Sequence, residues 1–143
     1  MLSKKNIYIV LLFICSAAFS CDGNIIKLLN KELSSADNVK IYFYDRATGK
    51  MPGSGYVASV NDPEEVKHFL VTITEEDFNK RQDCVYNGQI EFFAGNKSIM
   101  NMEFNMEPNC GFVIFKIRDL MQSKKLSEDG IKLLNFYYSK IAN

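Results

Sequence analysis

Residues 84–110 read CVYNGQIEFFAGNKSIMNMEFNMEPNC, and this stretch decides the fold. From 100 to 107 apolar even-numbered residues alternate with polar odd-numbered ones, which is the period of a half-buried β-strand. The upstream run 89–92 alternates in the same way, and Gly95-Asn96 separates the two runs. The stretch therefore predicts a β-hairpin.

The register of this hairpin depends on the length of its loop. A two-residue turn at Gly95-Asn96 would pair the apolar face of one strand with the polar face of the other, because successive side chains point to opposite faces. A three-residue loop over 95–97 instead sets Phe92 opposite Met100, so that the apolar side chains share one side. We therefore predict the three-residue loop.

The same register places Cys84 and Cys110 at one end of the hairpin, close enough for a disulfide bridge. The chain has four cysteines, and the other two, Cys15 and Cys21, lie near the amino terminus. An oxidising compartment would join the remaining pair. Two buried free thiols are the alternative.

Composition favours one globular domain, since 143 residues with 47% hydrophobic and 24% charged side chains suit a single modest core. The formal net charge is zero. Removing residues 1–20 takes away Lys4 and Lys5 and no acid, which leaves 15 basic and 17 acidic residues. Because this slightly negative net charge gives no long-range attraction to nucleic acid, we expect no nucleic-acid partner.

The amino terminus has the order of a secretory signal. A basic Lys4-Lys5 pair precedes an apolar run over 7–14, and small residues follow over 16–18. The apolar run is shorter than the roughly 20 residues that a transmembrane helix needs. We predict a signal peptide over 1–20 and a single domain over 21–143.

The segment around Cys21 resembles the lipobox of bacterial lipoproteins, in which the cysteine after the cleavage site is acylated and becomes the new amino terminus. The match covers about the first 24 residues and departs from the family at Ala18, where leucine is usual. The resemblance implies a small bacterial envelope lipoprotein anchored by lipid on Cys21. A secreted or periplasmic soluble protein is the alternative.

The remaining patterns predict an α+β domain, an antiparallel sheet of about five strands with helices packed mainly on one face and one disulfide. A loop rich in glycine is expected over 46–55, and polar loops over 74–83 and 123–125. The predicted helices and strands, in order, are helix 24–33, strands 39–45 and 56–60, a helix from Asp62 to Ile73, the hairpin, strand 112–117 and a helix from Ser127 to Ile141.

This chain lacks the residues that most catalytic mechanisms require. His68 is the only histidine, so a histidine-based metal site is excluded within one chain, and we interpret His68 as a surface residue. The sequence has neither a phosphate-binding GxxxxGK[ST] loop nor a redox CxxC pair. We expect no cofactor, no metal and no enzymatic activity.

The aromatic residues offer a different kind of site. Tyr42 and Tyr44 must lie on the face of their strand opposite Ile41 and Phe43, because neighbouring side chains alternate. Tyrosine and phenylalanine are enriched at interfaces. The candidate binding surface therefore consists of residues on the polar side of the sheet, Tyr42, Tyr44, Glu91, Phe93 and Glu103. Packing of these aromatics under helices or loops is the alternative.

These patterns predict a membrane-anchored, non-enzymatic lipoprotein that binds a protein, peptide or glycan partner through this surface. One alternative is a hydrolase or glycan-processing enzyme that uses Glu91 and Glu103, which are diagonal neighbours in the predicted register. The other is a structural component of the envelope.

Overall fold

A computed structural model describes residues 24–45, 48, 56–79 and 81–142. The predicted signal peptide, the lipidation site at Cys21 and most of the predicted loop over 46–55 lie outside these residues.

The described chain forms one antiparallel seven-stranded sheet and three helices, so the α+β class is confirmed. The strands lie in the order β2-β1-β4-β5-β6-β7-β3. Their bounds are β1 Asn38–Phe43, β2 Val57–Val60, β3 Ile73–Asp77, β4 Gly88–Ala94, β5 Lys97–Asn105, β6 Phe112–Ile117 and β7 Leu120–Leu126. The helices are α1 Ile25–Glu32, α2 Pro63–Val71 and α3 Glu128–Ile141.

The prediction of about five strands is wrong, because β3 and β7 lie where polar loops were expected. β3 is an edge strand and pairs with β7 alone among the described strands, so its outer residues are solvated and show no apolar alternation. In β7 the buried Lys124 replaces an apolar residue. Its Nζ is 2.5 Å from Oδ1 of Asp77 and 3.0 Å from the main-chain oxygen of Glu75. These contacts offset the cost of burying the Lys124 ammonium group. The polar sequence of β7 does not predict this burial.

The hairpin of β4 and β5 has the predicted pairing but a different turn. Phe92 lies opposite Met100, as predicted, whereas Ala94 lies opposite Lys97, and the register shifts between the two pairs. The turn therefore has two residues, with Gly95 at φ +58°, and Ile99 is an extra residue in β5. A two-residue turn followed by a β-bulge restores the register that the apolar face requires.

The three helices pack on one face of the sheet and form a single core with it. The buried strand residues of this inner face include Val39, Ile41, Phe43, Val60, Ile90, Phe92, Met102, Phe104, Val113, Phe115 and Ile117. Leu29 of α1, Phe69 of α2 and Leu134 of α3 belong to the same cluster. The helix-covered face is thus the hydrophobic core.

The helix ends follow from local sequence. The side chains of Asn24, Asp62 and Ser127 each accept a hydrogen bond from the first turn of the following helix. One detail differs from the predicted helices, because Ile73 belongs to β3 rather than to α2. In α3, Tyr137 is buried and Tyr138 is half-buried.

The predicted disulfide between Cys84 and Cys110 is confirmed, with the two Cα atoms 5.6 Å apart. It joins the segment before β4 to the segment before β6. Close to this bridge, Phe78 stacks on Phe112 at 4.8 Å between ring centroids. The loop before β4 therefore covers one end of the sheet face opposite the helices.

Candidate binding surface

The sheet face opposite the helices, called the outer face below, carries no helix in the part of the chain that the structure describes. Neighbouring strands place their side chains in rows across it. One row runs from Tyr42 through Gln89 to Glu103, and the next from Lys40 through Glu91 to Asn101. All five predicted surface residues belong to this face and are half-buried. The structure thus brings together the residues that the sequence selected.

Tyr42 and Glu91 are joined directly. The Tyr42 hydroxyl donates a hydrogen bond to Oε2 of Glu91 over 3.1 Å. Partial burial, this hydrogen bond and the negative charge of Glu91 all raise the pKa of Tyr42 above its usual value of 10.0. The phenol therefore stays protonated at neutral pH and acts as a fixed donor. No other described side chain donates to Glu91, so its second carboxylate oxygen can accept from a ligand.

Tyr44 lies beside a second carboxylate. Partial burial raises its pKa first, and the charges of Glu103 and Tyr86 raise it further. The Tyr44 backbone is held in place, since its N–H donates to the main-chain oxygen of Asn87 over 2.8 Å. Each of the two tyrosines thus has an acidic neighbour, and the outer face offers phenol and carboxylate groups in alternation.

Phe93 is partnered by a cation. The Nζ of Lys40 lies 5.0 Å from the centroid of the Phe93 ring, within the range of a cation–π contact. Lys40 also lies directly opposite Glu91 in the β1–β4 register. The positive charge therefore sits between an aromatic ring and a carboxylate, near the end of the hairpin turn.

Sequence reasoning missed two members of this surface, Lys40 and Tyr86. Lys40 has the same parity as Tyr42 in β1, so strand alternation was a sufficient signal for it. Tyr86 lies outside the strands, two residues after Cys84 and two before β4. Its T-shaped contact with the Phe112 ring, 5.8 Å between centroids, depends on the disulfide loop, for which the sequence holds no comparable signal.

The two carboxylates stand as predicted for strand neighbours, with Glu103 opposite Gln89 and Glu91 opposite Asn101. This diagonal relation separates them by roughly 7 to 8 Å. A groove of about 430 Å³ lies elsewhere, between α1 and the β6–β7 hairpin, and neither carboxylate lines it. The arrangement of Glu91 and Glu103 suits hydrogen-bond acceptance on an open surface.

Other chemistry is sparse over the described ranges. His68 lies exposed on α2, as predicted. Among residues 24–45, 48, 56–79 and 81–142, no three His, Cys, Asp or Glu side chains cluster in a way that would hold a metal ion. Within the same ranges, no helix is both long enough and apolar enough to cross a lipid bilayer.

Comparison with known proteins leaves the surface as the main source of functional information. No protein-family model matches the chain, and neither the curated proteins nor the solved structures contain a match to it.

Proposed function

We propose that this protein is a non-enzymatic envelope lipoprotein, anchored by lipid on Cys21, whose outer face binds a protein, peptide or glycan. The observation that carries the proposal is the placement of Tyr42, Tyr44, Glu91, Phe93 and Glu103 on one sheet face, which none of the described helices covers. Surface residues of this kind act by complementarity rather than by chemistry.

The outer face is suited to recognition because its groups are already ordered. The Tyr42–Glu91 hydrogen bond and the Lys40–Phe93 contact fix four side chains before any ligand arrives. Binding to a fixed surface loses less side-chain entropy than binding to a mobile one. Aromatic rings offer apolar faces, while carboxylates accept hydrogen bonds from hydroxyl or amide groups, so both glycans and polypeptides fit this chemistry.

Two features support export and anchoring. The Cys84–Cys110 bridge is stable in an oxidising compartment and would be reduced in most cytosols. The leader over 1–20 has the order of a secretory signal, and Cys21 follows it directly. In this proposal the chain therefore functions in the bacterial cell envelope, with its domain held at a membrane.

The hydrolase alternative requires a cleft that desolvates Glu91 or Glu103, as acid–base catalysis needs a shifted carboxyl pKa. The groove described above lies away from both residues. A structural component of the envelope would differ from a binding module in one measurable respect. Its partner would be present at fixed stoichiometry whether or not the outer face is intact.

The test is a crosslinking pull-down from intact envelopes that compares wild type with Tyr42→Ala/Tyr44→Ala. The matched control is Phe136→Ala, which removes an aromatic ring 51% exposed on α3, away from the outer face. We expect the double variant to lose a partner that wild type and control both retain, with all three proteins folded by circular dichroism. An unchanged set of partners in the double variant would remove the outer face from consideration.

Anchoring is tested separately by mass spectrometry of protein isolated from its native envelope. We expect a chain that begins at Cys21, carries acyl groups on it and contains oxidised Cys84 and Cys110. An intact leader together with two free thiols would contradict both the localisation and the anchor.

A further inference from the structure

The groove between α1 and the β6–β7 hairpin has a composition unlike the rest of the surface. Its volume is about 430 Å³, and its apolar wall is formed by Ile25 and Leu28 of α1 with Ile117 and Leu120 of the hairpin. Ile117 and Leu120 lie opposite each other on either side of a two-residue turn. The groove thus has an apolar wall and ends at the tip of the β6–β7 hairpin.

Among the described residues, three cations line the groove and no acid does. They are Lys27, Lys31 and Arg118, and none of them forms an ion pair with a described residue. The neighbouring Asp119 is engaged by Lys116 at 2.9 Å, and Glu75 accepts a hydrogen bond from Asn24. In a chain of zero formal net charge, this local excess of positive charge is complementary to an anionic ligand.

The hairpin tip beside these cations is apolar. Leu120 and Met121 are each 64% exposed and follow the turn directly. The turn residues Arg118 and Asp119 both have positive φ, 48° and 65°, in a position where Asn-Gly is the favoured pair. Exposed apolar side chains with a basic rim are typical of surfaces that contact anionic membranes, where the apolar part enters the interface.

The groove also lies next to the proposed anchor. Asn24 lines it, and Cys21 precedes Asn24 by three residues. Three residues span at most about 11 Å when fully extended, so an acyl group on Cys21 would hold the groove close to the bilayer surface.

We propose that the groove and the tip of the β6–β7 hairpin dock on the anionic phospholipid surface of the membrane. The inference rests on the proposed function, because the anchor on Cys21 brings this surface to the bilayer. Lys27, Lys31 and Arg118 contact lipid phosphates, while Leu120 and Met121 enter the interface. The opposite end of β6, where the disulfide lies, then points away from the membrane.

The test uses the absence of tryptophan from the chain. Met121→Trp places the single tryptophan of the variant at the hairpin tip. Val85→Trp is the matched control, because Val85 is 63% exposed and its main-chain oxygen accepts from Asn105, opposite Phe112 at the far end of β6. Full-length protein purified from expressing cells is mixed with, or reconstituted into, vesicles of phosphatidylcholine with or without phosphatidylglycerol, and quenching by brominated lipid is measured.

We expect a blue shift and strong quenching for Met121→Trp on vesicles that contain phosphatidylglycerol, and neither change for Val85→Trp. Equal quenching of the two probes, or quenching of Met121→Trp that is the same without phosphatidylglycerol, would overturn the docking surface. An acylated protein with an unquenched Met121→Trp would overturn this inference and leave the proposed function intact. Quenching of a protein that carries no acyl group would support the docking surface and count against the anchor.

A charge variant separates the basic rim from the apolar tip. In the Met121→Trp background, Lys27→Gln/Lys31→Gln/Arg118→Gln removes three charges, each of which contributes about fivefold near an anionic surface. We expect docking to weaken about a hundredfold, so that quenching falls to the level of the Val85→Trp control. The matched control, Lys67→Gln/Lys132→Gln/Lys140→Gln, makes the same change of net charge with exposed lysines of α2 and α3 and should retain the quenching. Loss of quenching in both triple variants would show a dependence on net charge alone and would overturn the assignment to the groove.

Discussion

Tyr137 of α3 links two helices through one hydrogen bond. Its hydroxyl donates to Oε2 of Glu65 in α2 over 2.8 Å, and its ring stacks on Phe69 at 5.7 Å between centroids. Burial, the hydrogen bond and the charges of Glu65 and Asp62 raise the pKa of Tyr137 from 10.0 to about 12. The helix layer therefore holds a phenol whose protonated form the folded state favours.

This shift predicts a loss of stability at alkaline pH. Because the folded pKa lies above the unfolded value, the contribution of Tyr137 is fully present below pH 10 and is lost as pH rises towards about 12. Over this window the free energy of unfolding should fall less steeply with pH in Tyr137→Phe than in wild type. The two slopes should differ by up to about 1.4 kcal/mol per pH unit. Urea unfolding at several pH values measures the difference, and parallel curves for the two proteins would contradict it.

Gly88 occupies a place where no side chain fits. A Cβ atom there would lie 2.2 Å from the main-chain oxygen of Tyr42 and 2.7 Å from the ring of Phe104. We expect Gly88→Ala to lower the free energy of unfolding by about 2 kcal/mol or more, since the Tyr42 backbone belongs to a paired strand and cannot move freely. Gly111→Ala is the control, because its added methyl group meets the end of the flexible Ile131 side chain. A larger loss for Gly111→Ala in urea unfolding would refute this reasoning.

Among the secondary-structure elements, the β6–β7 turn retains conformational strain. Non-glycine residues in the left-handed region cost roughly 1 kcal/mol, and Asp119 lies there at φ 65°. We expect Asp119→Gly to raise the melting temperature by a few degrees. Asp119→Ala serves as the control, because it also removes the exposed Lys116–Asp119 ion pair but keeps a Cβ atom. Equal melting temperatures for the two variants would show that the backbone conformation is not the cause.

Elements with a strong apolar period could be predicted from the sequence, and those stabilised by other means could not. The β4–β5 pairing follows from alternation, β6 from its nearly continuous apolar run, and α2 and α3 from apolar residues at helical spacing behind a capping residue. The β-bulge at Ile99 was not predicted, since a bulge and a longer loop produce the same pairing of Phe92 with Met100. β7 was not predicted because a lysine at position 124 indicates an exposed residue. Lys124 is buried and pairs with Asp77, a contact that appears only in three dimensions.

The candidate surface could be predicted to a similar extent. Alternation assigned Tyr42 and Tyr44 to the face opposite Ile41 and Phe43, and the structure confirms that assignment. The groove at the β6–β7 turn was not predicted, because it combines α1 with a hairpin about 90 residues later in the chain. Its basic rim has no local pattern in the sequence.

At the scale of the whole molecule, the sheet and its helices share one core, and the disulfide joins the segment before β4 to the segment before β6. The loop that the bridge closes has a sequence separation of 26 residues. Cys84→Ser/Cys110→Ser should therefore lower the free energy of unfolding by roughly 3 to 4 kcal/mol while leaving a single cooperative transition. Urea curves followed by far-UV circular dichroism and tyrosine fluorescence measure both properties, and separate midpoints for the two signals would argue against one core.

The position of the bridge has a further consequence for limited proteolysis. The exposed turn at Gly95-Asn96 lies inside the covalent ring that Cys84 and Cys110 close. A single cut at this turn would open the ring without releasing either fragment, because sulfur still ties the portion ending at Gly95 to the portion beginning at Asn96. A nicked molecule would run as one band without reductant and as two bands with it.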